Sequence, residues 1–229
     1  MISHLAIIMD GNRRWAKRNS LMPWLGHKEG VGTVKKTVEF CLKKGIKYLS
    51  LYTFSIENFK RSPQEVSYLF DLLIDQATNN LDFLIKNQVK VTFVGDRSLF
   101  PENVMTACKK IENETENCSG INVNILFCYG GQQEIVAGAK LAVDLIKSGK
   151  LNINNLDEQA FGKLLWSGDM PSPDLIIRTG GMHRLSNFLL YNAAYSELYF
   201  IDKLWPDLVD SDLDEAINFF ENSKRNFGA

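Results

Sequence analysis

Six short apolar runs alternate with amphipathic stretches along the chain, and this alternation limits the folds that the sequence can adopt. The apolar runs are Leu5–Met9, Ile46–Phe54, Val89–Val94, Ile121–Phe127, Leu175–Arg178 and Glu197–Phe200. The helical patterns are Lys28–Lys44, Pro63–Asn87, Asn103–Cys118, Gln133–Ser148, Asp157–Trp166 and Asp212–Arg225. Strands that alternate with helices form a mostly parallel sheet. The sequence therefore predicts an α/β fold with an open, mostly parallel six-stranded sheet flanked by helices.

Composition excludes several classes of partner. The chain has 229 residues and a formal net charge of −1, so it has no overall attraction to nucleic acid or to an anionic membrane. Its 4 cysteines form no CxxC pair, which argues against a disulfide framework or a zinc site and favours a reducing compartment. No apolar run is as long as a membrane span, and the chain begins without a signal segment. We expect one domain over residues 1–229, in the cytoplasm or peripherally at the inner face of the membrane.

The end of the first apolar run has the chemistry to bind a metal–diphosphate. There Asp10 and Gly11 lead into Asn12, Arg13 and Arg14, which begin a helix. Glycine lets the backbone approach a ligand closely, and the N–H groups of a helix start face anions. The arginines add positive charge, and the carboxylate can hold a hard cation. A lone Asp here would more often cap the helix, but the neighbouring arginines favour a binding site.

Polar and glycine-containing segments also follow three other predicted strands. They are Thr53–Arg61, Cys128–Gly131 and Arg178–Asn187. Ligands of parallel α/β sheets bind outside the carboxyl ends of the strands, so we expect the site at this edge. Arg178 and Arg184 could instead be surface ion-pair partners, but their spacing around Thr-Gly-Gly suits the wrapping of a diphosphate.

The Pro63–Asn87 pattern is apolar on more than one narrow stripe. One interpretation is a helix packed on two sides. The other is a helix with one face along an elongated apolar cavity. The sequence leaves both open.

Three blocks of sequence carry a resemblance to a known family. They are HLAIIMDGNRRWAK followed by GHKEG, LYTFSIENFKRSPQE, and PDLIIRTGGMHRLSNFLLYNAAYSELYF followed by LWP. Together they resemble the signature of the cis-prenyltransferases, in particular the bacterial undecaprenyl diphosphate synthases, from His4 to about Gly228. The resemblance implies a homodimer with an apolar tunnel and a Mg²⁺-dependent, sequential cis-condensation of isopentenyl diphosphate onto farnesyl diphosphate. The implied product is a long-chain polyprenyl diphosphate such as undecaprenyl diphosphate, delivered to the membrane as the lipid-carrier precursor for cell-wall polysaccharide.

The resemblance also implies roles for individual residues. The allylic diphosphate is expected at Gly11, Asn12, Arg13 and Arg14, with Trp15 and His27 nearby. Isopentenyl diphosphate is expected at Arg178, Arg184, Leu185 and Ser186, and magnesium at Asp10 and Glu197. Part of a lid is expected from Ser55, Asn58, Phe59, Arg61 and Glu65, and Ile56 and Glu57 between them are also expected to bind substrate. In that lid Asn58 lies near the departing proton, although an amide is a poor base and the leaving diphosphate could accept the proton instead.

The chain departs from the family pattern at three positions. Arg13 stands where glycine is frequent, Phe59 where tryptophan is frequent, and Pro23 where an arginine often lies. The missing cation weakens the diphosphate site unless Arg13 or Arg18 supplies replacement charge.

Several residues have alternative readings that the sequence leaves open. His27 and His183 could be turn or site residues, Tyr129–Gly131 could be a turn only, and His4 is predicted to be structural. The segment Lys224–Gly228 could be a frayed end or an arm that reaches a partner's phosphates. Product length is expected to depend on tunnel depth, at Val31, Leu81 and Ile121.

Three rival functions fit less well. A haloacid-dehalogenase-type phosphatase needs a second carboxylate two residues after its nucleophilic Asp10, and the chain has Asn12 there. A non-catalytic scaffold would have lost Asp10 or the Arg178–Ser186 block. A trans-prenyltransferase would be all-helical with a pair of Asp-Asp-x-x-Asp motifs, which this chain lacks.

Overall fold

The computed structural model describes residues 1–223, which form a six-stranded, fully parallel sheet with helices around it. The strands are β1 His4–Ile8, β2 Tyr48–Ser55, β3 Val89–Val94, β4 Ile121–Tyr129, β5 Leu175–Arg178 and β6 Glu197–Phe200. The α-helices are α1 Asn12–Arg18, α2 Leu25–Lys44, α3 Pro63–Asn79, α4 Leu81–Lys86, α5 Glu102–Thr115, α6 Gly131–Lys147, α7 Glu158–Gly162 and α8 Asp210–Asn222. The predicted fold class is confirmed, and the predicted arm at Lys224–Gly228 lies outside the described residues.

Strand β1 lies at the centre of the sheet, where the strand order changes direction. The order is β3-β4-β2-β1-β5-β6, so the two neighbours of β1 are β2 and β5. Every residue of β1 is buried, as expected for a strand covered on both faces. Ligands of open parallel sheets bind at such a switch point, beyond the carboxyl ends of the strands. The fold thus brings together the segments that follow β1, β2 and β5.

The long helix predicted over Pro63–Asn87 is in fact two helices, and the single-helix prediction was wrong. Helix α3 ends at Asn79, and α4 begins at Leu81. Between them the amide of Asn80 donates to the backbone oxygen (3.0 Å) and the side-chain oxygen (2.8 Å) of Gln76. Asparagine side chains compete in this way for backbone hydrogen bonds, which favours a helix end.

The remaining predicted helices differ from the observed ones mainly at their ends. The largest change is at Asp157–Trp166, where only Glu158–Gly162 is α-helical and turns follow. Within residues 1–223, no helix is long and apolar enough to span a membrane.

Candidate active site

The turn after β1 is held from two sides by hydrogen bonds. The Thr179 hydroxyl accepts from the backbone N–H of Asp10 (3.0 Å) and lies 2.7 Å from its carbonyl oxygen. The N–H of Trp205 also donates to that oxygen, at 3.0 Å. Gly11 has φ of 113°, and a Cβ there would lie 2.9 Å from Leu204. Glycine is therefore required here because the turn has a positive φ and because Leu204 packs too closely for a Cβ.

The Asp10 carboxylate bridges two arginines from different elements. Its oxygens accept from Arg14 Nη2 at 3.1 Å and from Arg178 Nη2 at 2.9 Å. Arg178 ends β5, is only 4% exposed, and also donates to Ser186 Oγ at 2.7 Å and to the Arg184 carbonyl. The end of β5 therefore connects Asp10 to the loop that contains Ser186.

A second charged cluster is centred on the buried carboxylate of Glu65. This side chain contacts Arg61 at 3.0 Å, Arg13 at 3.8 Å and His27 at 3.9 Å. Burial, together with the charges of Arg61 and Arg13, lowers the pKa of His27 to about 4. At neutral pH the imidazole is therefore uncharged, and the arginines supply the positive charge of this cluster.

Three buried polar atoms of the site have no hydrogen-bond partner within residues 1–223. They are Asn12 Oδ1, His27 Nε2 and Arg178 Nε. The three residues all line the same cleft. Buried polar groups are nearly always hydrogen-bonded, so three unpartnered atoms on residues of one cleft favour a site for a polar ligand.

That cleft, of about 370 Å³, combines a charged mouth with an apolar interior. At the mouth lie Asp10, Asn12, His27, Ser55, Asn58, Arg61, Arg178 and Ser186. The interior is lined by Val31, Val34, Phe54, Leu69, Leu72, Leu73, Gln76, Ile125 and Phe127. A molecule with an anionic head and a hydrocarbon tail has the matching distribution of polarity.

A smaller concavity adjoins the charged mouth. Its lining includes Gly11, Arg13 and Arg14, together with residues of the first cleft such as Asp10 and Arg61. Four arginines, Arg13, Arg14, Arg61 and Arg178, thus surround the two cavities. This concentration of positive charge occurs in a chain whose formal net charge is −1.

The two arginines that could replace the cation missing at Pro23 have different surroundings. Arg18 donates to both carboxylate oxygens of Asp207, at 2.8 and 2.7 Å, and so is held outside the cleft. Arg13 faces the charged mouth beside Glu65. Of the two candidates, the geometry favours Arg13.

Other predicted site residues do not line the cleft. Trp15 donates from its indole N–H to Asp207 at 2.9 Å, and Phe59 packs its ring against Phe54 and Phe70. Ile56, Glu57, Arg184 and Leu185 are also absent from the lining of the cleft. The same holds for Leu81 and Ile121, two of the residues predicted to determine product length. Ile121 is fully buried at the start of β4. Of the predicted length determinants, only Val31 borders the cleft.

Glu197 lies at the opposite end of the sheet from Asp10. It pairs with Leu175 at the start of β5, which in turn pairs with Leu5, whereas Asp10 follows the end of β1. At about 3.3 Å per residue, this places the two carboxylates roughly 16 Å apart along the strand direction. The predicted sharing of a metal ion by Asp10 and Glu197 is therefore not met within one chain, because Glu197 begins its strand whereas Asp10 follows the end of β1.

The three histidines have different surroundings in the structure. His4 is fully buried, and its ring nitrogens lie 2.7 Å from the Pro171 oxygen and 2.8 Å from Ser50 Oγ, so its predicted structural role is confirmed. His183 is exposed, and its ring packs at a tilt against that of Phe200. His27 alone of the three lines the cleft.

Comparison with known proteins identifies the family. The prenyltransferase family model described as undecaprenyl diphosphate synthase matches residues 8–228. The chain belongs to this family. It is 44% identical over 228 residues to an isoprenyl transferase of Clostridium perfringens, covering 100% of this chain and 90% of the relative. It is 40% identical to the farnesyl-diphosphate-specific ditrans,polycis-undecaprenyl-diphosphate synthase of Escherichia coli K12, covering 98% and 89%.

A solved structure agrees with this assignment. Lavandulyl diphosphate synthase from Lavandula x intermedia, determined with dimethylallyl diphosphate, superimposes with a TM-score of 0.96 at 33% identity, covering 100% of this chain and 98% of that one. The chain is thus a cis-prenyltransferase, a transferase with a parallel α/β fold. Membership of this family excludes the phosphatase and the trans-prenyltransferase alternatives.

Two residues of the site were missed by sequence reasoning. Thr179 fixes the Asp10 turn, and Asn187 bonds to two other segments of the chain, the start of α6 and the turn that contains Glu57. Thr179 lies within the Arg178–Ser186 block and Asn187 directly follows it. This position was the only indication in the sequence that the two residues belong to the site. Their partners lie far away in sequence and become visible only in the folded chain.

Proposed function

We propose that this cis-prenyltransferase condenses isopentenyl diphosphate repeatedly onto farnesyl diphosphate to give a long-chain polyprenyl diphosphate of the undecaprenyl type. The observation that carries the proposal is the pair of adjoining cavities, which four arginines border and of which the larger has an apolar interior. Such a product would serve as a lipid-carrier precursor for cell-wall polysaccharide. We take residues 1–229 as one catalytic domain.

The allylic diphosphate binds at the turn after β1 in this proposal. Arg13, Arg14 and Asn12 face the smaller concavity, and Gly11 shapes the turn. His27 Nε2 has no hydrogen-bond partner within residues 1–223, so it is available to a phosphate oxygen. The departure of an allylic diphosphate requires stabilisation of its charge, and preorganised arginines supply this.

Isopentenyl diphosphate binds on the other side of Asp10. Arg178 and Ser186 already form a hydrogen-bonded pair of 2.7 Å at this position. Arg184 is exposed nearby, with its carbonyl accepting from Arg178, and Leu185 follows it. The double bond of isopentenyl diphosphate then attacks C1 of the allylic substrate, the C1–O bond breaks, and a proton leaves.

Magnesium fits the donor set as an ion held jointly by the protein and the substrate. Within residues 1–223, no group of three His, Cys, Asp or Glu side chains could hold a metal, so Asp10 is the protein's candidate ligand. Mg²⁺ is commonly bound through one or two carboxylates together with substrate phosphates and water, which matches this arrangement. When bound, the ion would neutralise charge on the departing diphosphate.

The segment after β2 covers the cleft mouth as the proposed lid. Ser55 and Asn58 cap each other: the Ser55 N–H donates to Asn58 Oδ1 at 3.2 Å. Because Asn58 Oδ1 already serves this cap and an amide is a weak base, we assign the proton to the leaving diphosphate. Arg61, held by Glu65, faces the same mouth, while Ile56, Glu57 and Phe59 form the rest of the lid.

Homodimerisation is part of the proposal. Strand β6 is an edge of the sheet, and apolar side chains near it are exposed, including Leu198, Tyr195 and Phe219. A second copy of the chain would cover this surface. We place the enzyme in the cytoplasm, with delivery of its product to the membrane and no nucleic-acid partner.

The test is a product assay with farnesyl diphosphate, radiolabelled isopentenyl diphosphate and Mg²⁺, in the presence and absence of chelator. We expect labelled polyprenyl diphosphates that contain several added units, and their loss with chelator. Dimethylallyl diphosphate as the alternative allylic substrate tests substrate choice in parallel. Absence of any elongated product with either allylic substrate would contradict the proposal.

A further inference from the structure

Asn187 joins three separate segments of the chain and directly follows Ser186, which lines the cleft. Its Nδ2 donates to Glu57 Oε1 and to Gln133 Oε1, both at 2.9 Å. Its Oδ1 accepts from the N–H of Gln132 at 2.8 Å, and its backbone oxygen accepts from the N–H of Gly131 at 2.7 Å. The side chain thus connects the Ser186 loop to the start of α6 and to the Ile56–Lys60 turn after β2.

The backbone at this point is in an uncommon conformation. Ser186 and Asn187 have φ angles of 51° and 67°, in the left-handed region. Outside glycine, this region costs free energy and is tolerated best by asparagine and aspartate. Such conformations persist where surrounding contacts hold them, and they cluster at functional sites. Here the conformation accompanies the pairing of Ser186 Oγ with Arg178.

Close packing of glycines against Asn187 is a second, independent observation. A Cβ at Gly130 would lie 2.8 Å from Asn187 Nδ2, and one at Gly131 would lie 3.1 Å from Asn187 O. These glycines therefore let the Ser186 loop approach the start of α6. The Tyr129–Gly131 segment is more than a connecting turn, because Asn187 packs against its two glycines.

We propose that Asn187 is a positioning residue that fixes the isopentenyl diphosphate subsite and couples it to the lid. It contacts no reacting atom; it acts through Ser186, its neighbour in the chain, and through Glu57 in the lid turn. Ordering of either side therefore favours ordering of the other, so that the second diphosphate binds best when the lid is in place. The inference rests on the proposed function.

The substitution Asn187→Asp tests this with little change in shape. Aspartate tolerates the left-handed backbone and keeps the acceptor for the Gln132 N–H. It loses both N–H donors and places a carboxylate against Glu57 Oε1. We expect isopentenyl diphosphate to bind about 10- to 100-fold more weakly, with the affinity for farnesyl diphosphate changed less than threefold. Calorimetry measures both affinities without requiring turnover.

A second substitution separates this role from general damage to the fold. Glu57→Gln, added to Asn187→Asp, places an amide donor opposite the new carboxylate, and we expect most of the lost affinity for isopentenyl diphosphate to return. The matched control is Asn152→Asp, an exposed asparagine whose Oδ1 accepts from Asn154 N at 2.9 Å far from the cleft. It should bind both substrates as the unmodified protein does.

The outcomes distinguish the two proposals. If the unmodified protein binds isopentenyl diphosphate and Asn187→Asp binds it equally well, the positioning role is contradicted while the proposed function stands. An Asn187→Asp, Glu57→Gln protein that binds no better than Asn187→Asp alone contradicts the coupling to the lid. If the unmodified protein binds neither diphosphate, the proposed function fails, and this inference fails with it.

Discussion

At the scale of single residues, the account depends most on Asp10. Its carboxylate lies between Arg14 and Arg178, and it is the candidate protein ligand for magnesium. The turn that holds it is fixed by backbone bonds with Thr179 and Trp205, which a change of side chain leaves in place. Asp10 can therefore be changed with the backbone turn kept, although the buried Arg178 guanidinium then loses its carboxylate partner.

Asp10→Ala should lower kcat by about 10³-fold, since loss of one preorganised electrostatic group has effects of this order. The protein should still fold, with a lowered unfolding midpoint because the buried Arg178 has lost its carboxylate partner. The control is Asp207→Asn, which weakens an ion pair with Arg18 outside the cleft and should retain activity. Near-normal product formation by Asp10→Ala would exclude the metal role.

Two buried histidines should lower the free energy of unfolding in acid. Burial is the main cause that lowers the pKa values of His4 and His27 to about 4, from 6.5 in the unfolded chain. Between these values the unfolded chain binds more protons than the folded one. The stability present above pH 6.5 is therefore lost as the pH falls towards 4, by about 2 kcal/mol per histidine at pH 5.

Urea unfolding at pH 7.5 and at pH 5 measures this loss. His27→Asn should remove about half of the difference between the free energies of unfolding at the two pH values. His183→Asn, a change at an exposed histidine, should leave that free-energy difference as it is in the unmodified protein. An equal pH dependence in all three proteins would contradict the assignment to His27.

At the scale of elements, helix α3 forms one wall of the cleft. Its lining residues Leu69, Leu72, Leu73 and Gln76 recur at helical spacing, so the interpretation with one face along an apolar cavity is supported. Gln76 lies eleven residues beyond Glu65, roughly 16 Å at 1.5 Å per residue. Gln76 is the polar residue among the cleft-lining residues of α3. Its side-chain oxygen accepts a hydrogen bond from Asn80, where the helix ends.

Gln76→Leu should lengthen the products, because a growing prenyl chain would no longer meet an amide at this depth. The measurement is chromatography of dephosphorylated products. Thr78→Val, on the exposed side of the same helix, is the control and should leave the length distribution unchanged. A distribution unaffected by Gln76→Leu would show that the chain does not reach this point.

The elements also show what could be predicted from sequence. Strands β3, β5 and β6 have the predicted bounds, and the polar segments after β1, β2 and β5 meet as expected. This succeeded because apolar runs and strand ends are local patterns. The role of Asn187, in contrast, depends on contacts with Glu57 and Gln133, which lie far away in sequence. Such contacts are not encoded in a local pattern.

At the scale of the whole molecule, the cleft should hold its product tightly. At about 0.8 kcal/mol per buried methylene, each added five-carbon unit contributes roughly 3–4 kcal/mol. Release of a long product should therefore be slower than the condensation steps. Rapid-quench kinetics should show a burst of long product in the first turnover, and a linear time course from the start would contradict slow release.

The central claim is that two diphosphates meet at one edge of the sheet, on either side of Asp10. A crystal structure with farnesyl thiodiphosphate, isopentenyl diphosphate and Mg²⁺ tests it most directly. We predict one diphosphate at Arg13 and Arg14 with its tail along α3, and the other at Arg178 and Ser186. Diphosphates bound elsewhere, or a farnesyl tail outside the apolar cleft, would contradict the account.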